Sequence, residues 1–249
     1  MSSTETSLSD ALKSFNRYFT VVTADEEMRE RIFRMRYQVY CIEHPFENPD
    51  ENPGERETDA FDAHSVHAAL IHNLSGELAG SVRLILPEET KPNLGLPALE
   101  ICEELRRAFS AQGQMGRVAE ISRYAISKQF RRRRFEDLHA DVGLLAGAQA
   151  RRDERRIMPF LTLGLIRATY DLSREHGVEH LLAVMDPLLL RLTARMGLNF
   201  ITYGPMVEHH GLRQPCAASI AELRAAFSAT RPDMFRVVAE KLDAHSSAA

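Results

Sequence analysis

An arginine stands in the middle of an apolar run, Ser81-Val82-Arg83-Leu84-Ile85-Leu86. A guanidinium in so apolar a strand needs a partner, because an uncompensated buried charge costs several kcal/mol. The candidate carboxylates are Asp59, Asp62 and Glu120. The alternative is an arginine on a strand face that reaches water. Glu120 and Arg123 lie three residues apart in Val118-Ala119-Glu120-Ile121-Ser122-Arg123-Tyr124-Ala125-Ile126. Strict alternation puts them on opposite faces of a strand, whereas a β-bulge between them brings both to one face. With Arg36, these residues make six charged groups able to form an ion-pair cluster or a site for an amine. Other chemistries find less support. His209-His210 are adjacent rather than four apart, and His64 and His67 lack an acidic or cysteine partner set, so no metal site is expected. Cys41, Cys102 and Cys216 are odd in number and far apart, which excludes a disulfide framework and fits a reduced compartment. Cys41 on an amphipathic helix reads as a small core residue rather than a nucleophile.

The elements that must position the cluster follow from periodicity. Residues 17–23 predict a strand, and Asp25 predicts the cap of a helix whose apolar face carries Met28, Ile32, Met35, Val39 and Ile42. Residues 47–58 are rich in Pro, Gly, Asn and acids and read as a loop. Val66–Ile71 and Glu77–Leu86 predict a hairpin turning at Ser75-Gly76. A short helix over Ala98–Phe109 and a strand over Val118–Ile126 follow. Pro159–Glu175 reads as a long apolar helix stopped by Gly177, and Leu181–Met185 as a buried strand. Asp186-Pro187 is a cap and first-turn proline for a helix ending at Gly197. Asn199–Tyr203 predicts the last strand. Ser219–Leu242 predicts a helix broken at Pro232, and the tail at 244–249 is expected to fray. The order β-α-β-β-(α)-β-α-β-α-β predicts an α/β (α+β) domain with a mixed, twisted sheet. No repeat or linker divides the chain, so residues 1–249 are expected to form a single domain.

A chain of 249 residues with 44% hydrophobic and 27% charged residues has enough apolar material for a core. The net charge of −4 argues against a general nucleic-acid binder. The N-terminus lacks a basic region followed by an apolar run, and no stretch is long enough to span a bilayer, so a cytoplasmic location is expected. Residues 117–156 hold ten arginines and Lys128 against six acids, a net of about +5, leaving about −9 elsewhere. That asymmetry is either a partner surface or a solvated helix face.

The charged residues, taken with their spacing, carry a resemblance. Arg36-x-x-x-Tyr40, Phe46, Asp59-x-x-Asp62, Arg83 and Glu120-x-x-Arg123 are similar, in order and approximate spacing, to the signature of acyl-homoserine-lactone (autoinducer) synthases of the GNAT superfamily. Over nearly its whole length the chain resembles the acyltransferases associated with the PEP-CTERM/exosortase system, which are related to N-acyl amino acid synthases. The resemblance implies the GNAT fold, with helices on both faces of the sheet. It also implies a bulged strand that splays from its parallel neighbour to admit a pantetheine arm, and an acceptor pocket lined by Arg36, Tyr40, Phe46, Asp59 and Asp62. Glu120, Arg123 and Arg83 would stand at the reacting centre. The departures are Phe46 where the autoinducer synthases have tryptophan, an apparent basic insertion at 128–157, and a segment Glu208–Pro215 without a counterpart.

The expected function is therefore N-acyl transfer by direct attack. A fatty acyl group would pass from an acyl-carrier-protein or CoA thioester to an amine such as an amino acid, with no permanently bound cofactor. Gln129-Phe130-Arg131-Arg132-Arg133-Arg134 replaces a glycine-rich pyrophosphate loop. Arg131, Arg132, Arg133 and Arg134 are thus candidates for docking an acidic carrier protein. The rival readings are an acyl-homoserine-lactone synthase using S-adenosylmethionine and a non-catalytic module that binds an acyl ligand.

Overall fold

The computed structural model describes residues 15–88, 95–111, 117–131, 161–209 and 211–239. Phe19–Thr23 forms β1, and Asp25 caps helix α1 (Glu26–Tyr37) by accepting the Met28 N–H at 2.8 Å. The helix does not simply continue to Ile42. Gln38–Glu43 is a π-helical turn, with the His44 N–H reaching back to the Val39 carbonyl. The wider turn rotates the following side chains, so Ile42, expected on the apolar face, is 55% exposed.

Strands β2 (Ser65–His72) and β3 (Leu78–Ile85) form the expected hairpin, with Gly76 at φ 69° in its turn. The single helix expected over 98–109 is two, α2 (Pro97–Ile101) and α3 (Glu103–Ala111), because the chain is extended at Cys102. Strand β4 (Val118–Ile126) precedes a short helix α4 (Lys128–Arg131). The rest of the anticipated basic insertion, most of the Arg131–Arg134 cluster and the 244–249 tail lie outside the described residues, as does the Arg131 side chain. Helix α5 (Leu161–Glu175) leads to β5 (His180–Met185), with Gly177 at φ 63° as the stop. Asp186 caps α6 (Pro187–Arg195). Two-residue strands β6 (Ile201–Thr202) and β7 (Val207–Glu208) precede β8 (Leu212–Ser219), and Ser219 caps α7 (Ile220–Thr230). Helix α8 (Pro232–Ala239) follows the expected break at Pro232.

The sheet runs β1-β2-β3-β4-β5-β8-β6, with β7 also on β8. All neighbours are antiparallel except β4 and β5. Strand β8 is absent from the sequence expectation. Pro215 argues against an interior strand, yet it falls between the stretches paired to β7 (212–213) and β6 (216–217), and its carbonyl still accepts the Tyr203 N–H at 2.9 Å. No helix among the described residues is long and apolar enough to cross a membrane.

The two faces of the sheet have different jobs. Ala68, Leu70, Val82 and Leu84 pack under α5, whose residues are nearly all buried because α8 covers its other side. On the opposite face, Ala69 and Leu78 meet Ile32 and Phe33 of α1, and His67 meets the Phe33 ring edge-on. Burial holds the His67 imidazole neutral, its pKa lowered to about 3. Arg83 is paired across the hairpin with His67 and so points to this second face.

Gly80 permits the close approach of β3 and β4. A Cβ there would lie 2.8 Å from the Ala125 carbonyl oxygen and 3.2 Å from a Leu165 methyl. Backbone cannot move aside as a side-chain tip can. Gly80→Ala is therefore expected to cost about 1–3 kcal/mol by overpacking, read as a lower urea midpoint with an unchanged slope.

Candidate active site

Three arginines converge on the α1 face of the sheet. Arg36, from the last turn of α1, is fully buried. Its Nε lies 2.5 Å from Glu57, and its two terminal nitrogens hold Asp62 at 2.8 and 3.2 Å. Arg83 reaches Asp59 at 2.6 Å and Asp62 at 2.8 Å through Nη1, and the Ser122 hydroxyl at 2.9 Å through Nε. Arg123 holds Glu57 at 2.8 Å, Glu47 at 2.9 Å and Asp59 at 3.1 Å. The result is a closed lattice in which Asp62 joins Arg36 to Arg83, Asp59 joins Arg83 to Arg123, and Glu57 joins Arg123 to Arg36.

The spacing Asp59-x-x-Asp62 has a local cause. Asp59 caps the short 3-10 turn Ala60–His64 by accepting the Phe61 N–H, while Asp62 accepts the Asp59 N–H, a reciprocal capping box. The turn holds both carboxylates by local backbone hydrogen bonds as well as by the arginines. Burial alone would raise these carboxyl groups. Hydrogen bonds and charge from Arg36 hold Glu57 and Asp62 below the usual range, and Arg83 does the same for Asp59.

Arg123 joins the lattice because β4 is bulged. The β3–β4 register passes from Ser81↔Ala125 to Arg83↔Ser122, so Arg123 and Tyr124 together oppose Val82. Arg123 takes φ 47°, a conformation rare for a residue with a side chain. Glu120, Ser122 and Arg123 thereby share a face. Beyond the bulge, β4 and β5 part company, since their parallel pairing ends at Glu120↔Leu182. A cleft of about 490 Å³ opens between them. Its floor is apolar, with Ile166, Leu181, Leu198, Phe200 and Leu223. Its rim carries Tyr40, Phe46, Arg123 and Arg213. The Arg123 guanidinium lies over the Tyr40 ring at 5.4 Å, and Tyr40 donates its hydroxyl to the Tyr124 carbonyl at 3.3 Å. A cleft of this volume, apolar with a few convergent polar groups, is the form a small-molecule site takes.

Glu120 departs from expectation. It is no partner of Arg83. Its carboxylate instead accepts the Ala98 N–H at 2.7 Å. Burial pushes its pKa up to about 7, against the pull of that hydrogen bond and of the Arg83 charge. The reason is geometric, since Asp59, Asp62 and Ser122 already occupy the Arg83 fork. Glu57 and Glu47, which complete the lattice, were not singled out in the sequence. They sit in or beside a loop whose many acids hide which one turns inward. Three arginines, Arg36, Arg83 and Arg123, with two aspartates between them were the available sign that a further anion was owed. The cysteines are poor nucleophiles here, with burial raising all three thiols and taking Cys216 to about 12. No group of three or more metal-binding side chains occurs among the described residues.

Truncating Arg83 removes one of the two arginine partners of Asp59 and of Asp62 and leaves each with the other, Arg123 and Arg36. Arg83→Ala is expected to cost about 3–5 kcal/mol in equilibrium unfolding. The lattice also sets an acid limit. Glu57, Asp59 and Asp62 are lowered by folding, so the unfolded chain binds more protons. Their contribution is present above the ordinary carboxylate range and is lost progressively as pH falls from that range down through their lowered folded values. Urea midpoints measured across that range should drop with acid, and by less in Arg83→Ala than in the parent.

Residues 35–140 match the family model described as an acetyltransferase (GNAT) domain. No curated relative matches the chain. Among solved structures, the acyl-homoserine-lactone synthase LasI superposes with a TM-score of 0.53 at 17% identity, over 85% of this chain and 95% of that one. The CoA-dependent acyl-homoserine lactone synthase BjaI, with SAM and isopentyl-CoA, gives 0.55 at 16% identity over 91% and 89%. TofI, in a ternary complex with an inhibitor and MTA, gives 0.56 at 20% identity over 85% and 96%. What is shared at such identities is the fold. The chain has the GNAT fold of these acyl-transferring synthases, and the GNAT domain match spans both the arginine–carboxylate lattice and the bulged strand.

Proposed function

We propose that the protein is an N-acyltransferase that moves a fatty acyl group from a carrier-protein or CoA thioester to an amine acceptor, an amino acid being the class favoured. The observation that carries this reading is the bulge at Arg123, which splays β4 from β5 over an apolar cleft beside an ordered charge lattice. The fatty chain would lie on the apolar floor. The thioester carbonyl would sit at the splay, where β4 backbone beyond Glu120 has no β5 partner and its N–H groups can stabilise an oxyanion. The amine nitrogen attacks the thioester carbon, the C–S bond breaks, and the thiolate leaves with a proton. No enzyme nucleophile is required, which agrees with the raised thiols.

Glu120 is the proposed base. A carboxylate must be ionised to accept the ammonium proton, directly or through water, and a pKa near 7 matches that task at neutral pH. Arg123 and Arg83 act as positioning residues that hold Ser122, Tyr40 and the bulge. Arg36, Asp59 and Asp62 fix the lattice behind them, with Tyr40 and Phe46 at the acceptor rim. Activity is expected to rise with pH through about 7. Glu120→Gln should lower kcat about 10²- to 10⁴-fold and abolish that inflection. An unchanged pH profile in the variant would remove Glu120 from the chemistry. Mass spectrometry of products separates the acceptors. N-acyl amino acids support the reading, and homoserine lactones with released methylthioadenosine would favour the S-adenosylmethionine reaction. Ligand binding without turnover of any thioester would favour a non-catalytic module.

The donor is proposed to arrive on an acidic carrier protein that docks on Arg131–Arg134, a run that begins at the last residue of α4, shortly after β4 in sequence. Charge reversal there should raise KM for the carrier-bound donor, spare a small soluble thioester, and lose its effect as salt rises. Equal loss on both donors would show the arginines to be a solvated face.

A further inference from the structure

Helix α6 stands between the cleft and solvent. Leu189 and Thr193, four residues apart, line the cleft. The neighbouring face carries Leu188, Arg191, Leu192 and Arg195, at the i, i+3, i+4, i+7 spacing of a single helical stripe. That stripe lies in water. Leu188 is 68% exposed and Leu192 45%, and both arginines are exposed with them. Among the described residues no carboxylate pairs with Arg191 or Arg195. Residues 187–207 contain no acid at all.

The surface beside the start of α6 keeps this character. Asp186, which caps the helix, hydrogen-bonds Arg213 of β8 and so ties the β7–β8 hairpin to α6. Met206, just ahead of β7, and Leu212, the first residue of β8, are both exposed. The carboxylates of this region are engaged locally, Asp186 by Arg213 and the Leu188 N–H, and Glu208 by the Gly211 N–H. A lone exposed leucine is ordinary on a protein surface. Two of them one turn apart on a cationic stripe, with further apolar side chains beside it, form a surface of mixed chemistry.

We infer that the outer face of α6 is a docking surface for an anionic lipid bilayer. This goes beyond the acyl-transfer reading and does not depend on it. Headgroup phosphates take the arginines, while the leucines enter the interfacial layer, as for a basic amphipathic helix lying in the membrane plane. Charge complementarity selects this occupant. An acidic protein would answer the arginines and leave the leucines unmatched. A second copy packed about a two-fold axis would set Arg191 and Arg195 against themselves, with no acid in 187–207 to answer them. Docking is peripheral, because the other side of α6 stays in the protein. The bilayer would lie one helix diameter, about 10 Å, from the cleft.

Flotation of the full chain with vesicles reads the docking without any thioester. The parent should float with vesicles of phosphatidylcholine mixed equally with phosphatidylglycerol, and less with phosphatidylcholine alone. The bound fraction should fall as salt rises. Arg191→Gln combined with Arg195→Gln should weaken partitioning to the mixed vesicles about 30-fold, roughly 5-fold for each charge. Leu188→Ser combined with Leu192→Ser should weaken it about 10-fold or more through the apolar area withdrawn. All four side chains are exposed, so urea midpoints should stay at the parent value, which separates lost docking from lost folding. The chain has no tryptophan, so Leu188→Trp supplies a single fluorophore. Its emission should shift to the blue when mixed vesicles are added. Leu74→Trp, on the exposed β2–β3 turn, should not shift. No flotation by the parent, equal flotation with both vesicle types, unaltered flotation of both double variants, or equal shifts at positions 188 and 74 overturns the inference. So does a parent that ignores vesicles while the arginine pair governs binding of an acidic acyl carrier protein, which gives the face to a protein. A parent that ignores vesicles and self-associates until the leucine pair is replaced gives the face to a second copy, and overturns it equally.

Discussion

Everything on the α1 face of the sheet is arranged around the need to neutralise three arginines taken out of water. A single buried guanidinium is prohibitively costly, and here Arg36 comes from a helix, Arg83 from one strand and Arg123 from another. Their carboxylates all come from the irregular chain between α1 and β2. That chain has little secondary structure of its own, so the ion pairs are what fix its path. The cost of burying the arginines and the cost of ordering the loop are met by the same contacts. Neither the loop nor the arginines would keep this arrangement alone.

The same lattice explains how an unfavourable backbone conformation persists at Arg123. A residue with a side chain in the left-handed region stays there only when its surroundings over-determine it. Three carboxylates and the Tyr40 ring grip the Arg123 guanidinium, and the β3 ladder fixes the residues on either side. The π-helical turn contributes by swinging Tyr40 beneath the bulge. Two local irregularities, one in a helix and one in a strand, therefore meet at the cleft. Strand β4 can hold β3 along its length and still release β5 after three residue pairs, because the extra residue of the bulge bends it away.

The regular parts of this fold were legible in the sequence, and the irregular parts much less so. Asp25, Asp186-Pro187, Gly177 and Pro232 marked element ends because each has one dominant local preference. The offset of Glu120 and Arg123 announced that the strand must be bulged if both served one site, and the register shows it. Ile42 was misplaced because a π turn leaves no trace in a 3.6-residue period. Strand β8 was hidden by Pro215, which falls between stretches paired to β6 and β7, elsewhere in the pattern. Glu57 was hidden for a different reason. In an acidic loop the inward-facing carboxylate is selected by tertiary geometry, and composition treats all of them alike.

The contrast between Glu120 and its neighbours follows from topology rather than from residue type. Glu57, Asp59 and Asp62 lie among guanidinium groups and are held ionised. Glu120 is on the same face of the same sheet, yet it stands on the α2 side of Arg83, where Ile85, Leu96, Leu99 and Leu182 form an apolar wall. The arginine fork that could have reached it is turned toward the 3-10 turn by Asp59 and Asp62. Occupying the arginines with Glu47, Glu57, Asp59 and Asp62 leaves Glu120 buried with a backbone N–H, and burial then sets its pKa near 7. Environments that push like groups apart in this way are the physical means by which one site holds both permanent charges and a group that exchanges its proton. The lattice is thus more than scaffolding for the cleft. By drawing the positive charge to one side, it leaves Glu120 buried, with its pKa raised to about 7, at the edge where β4 and β5 separate.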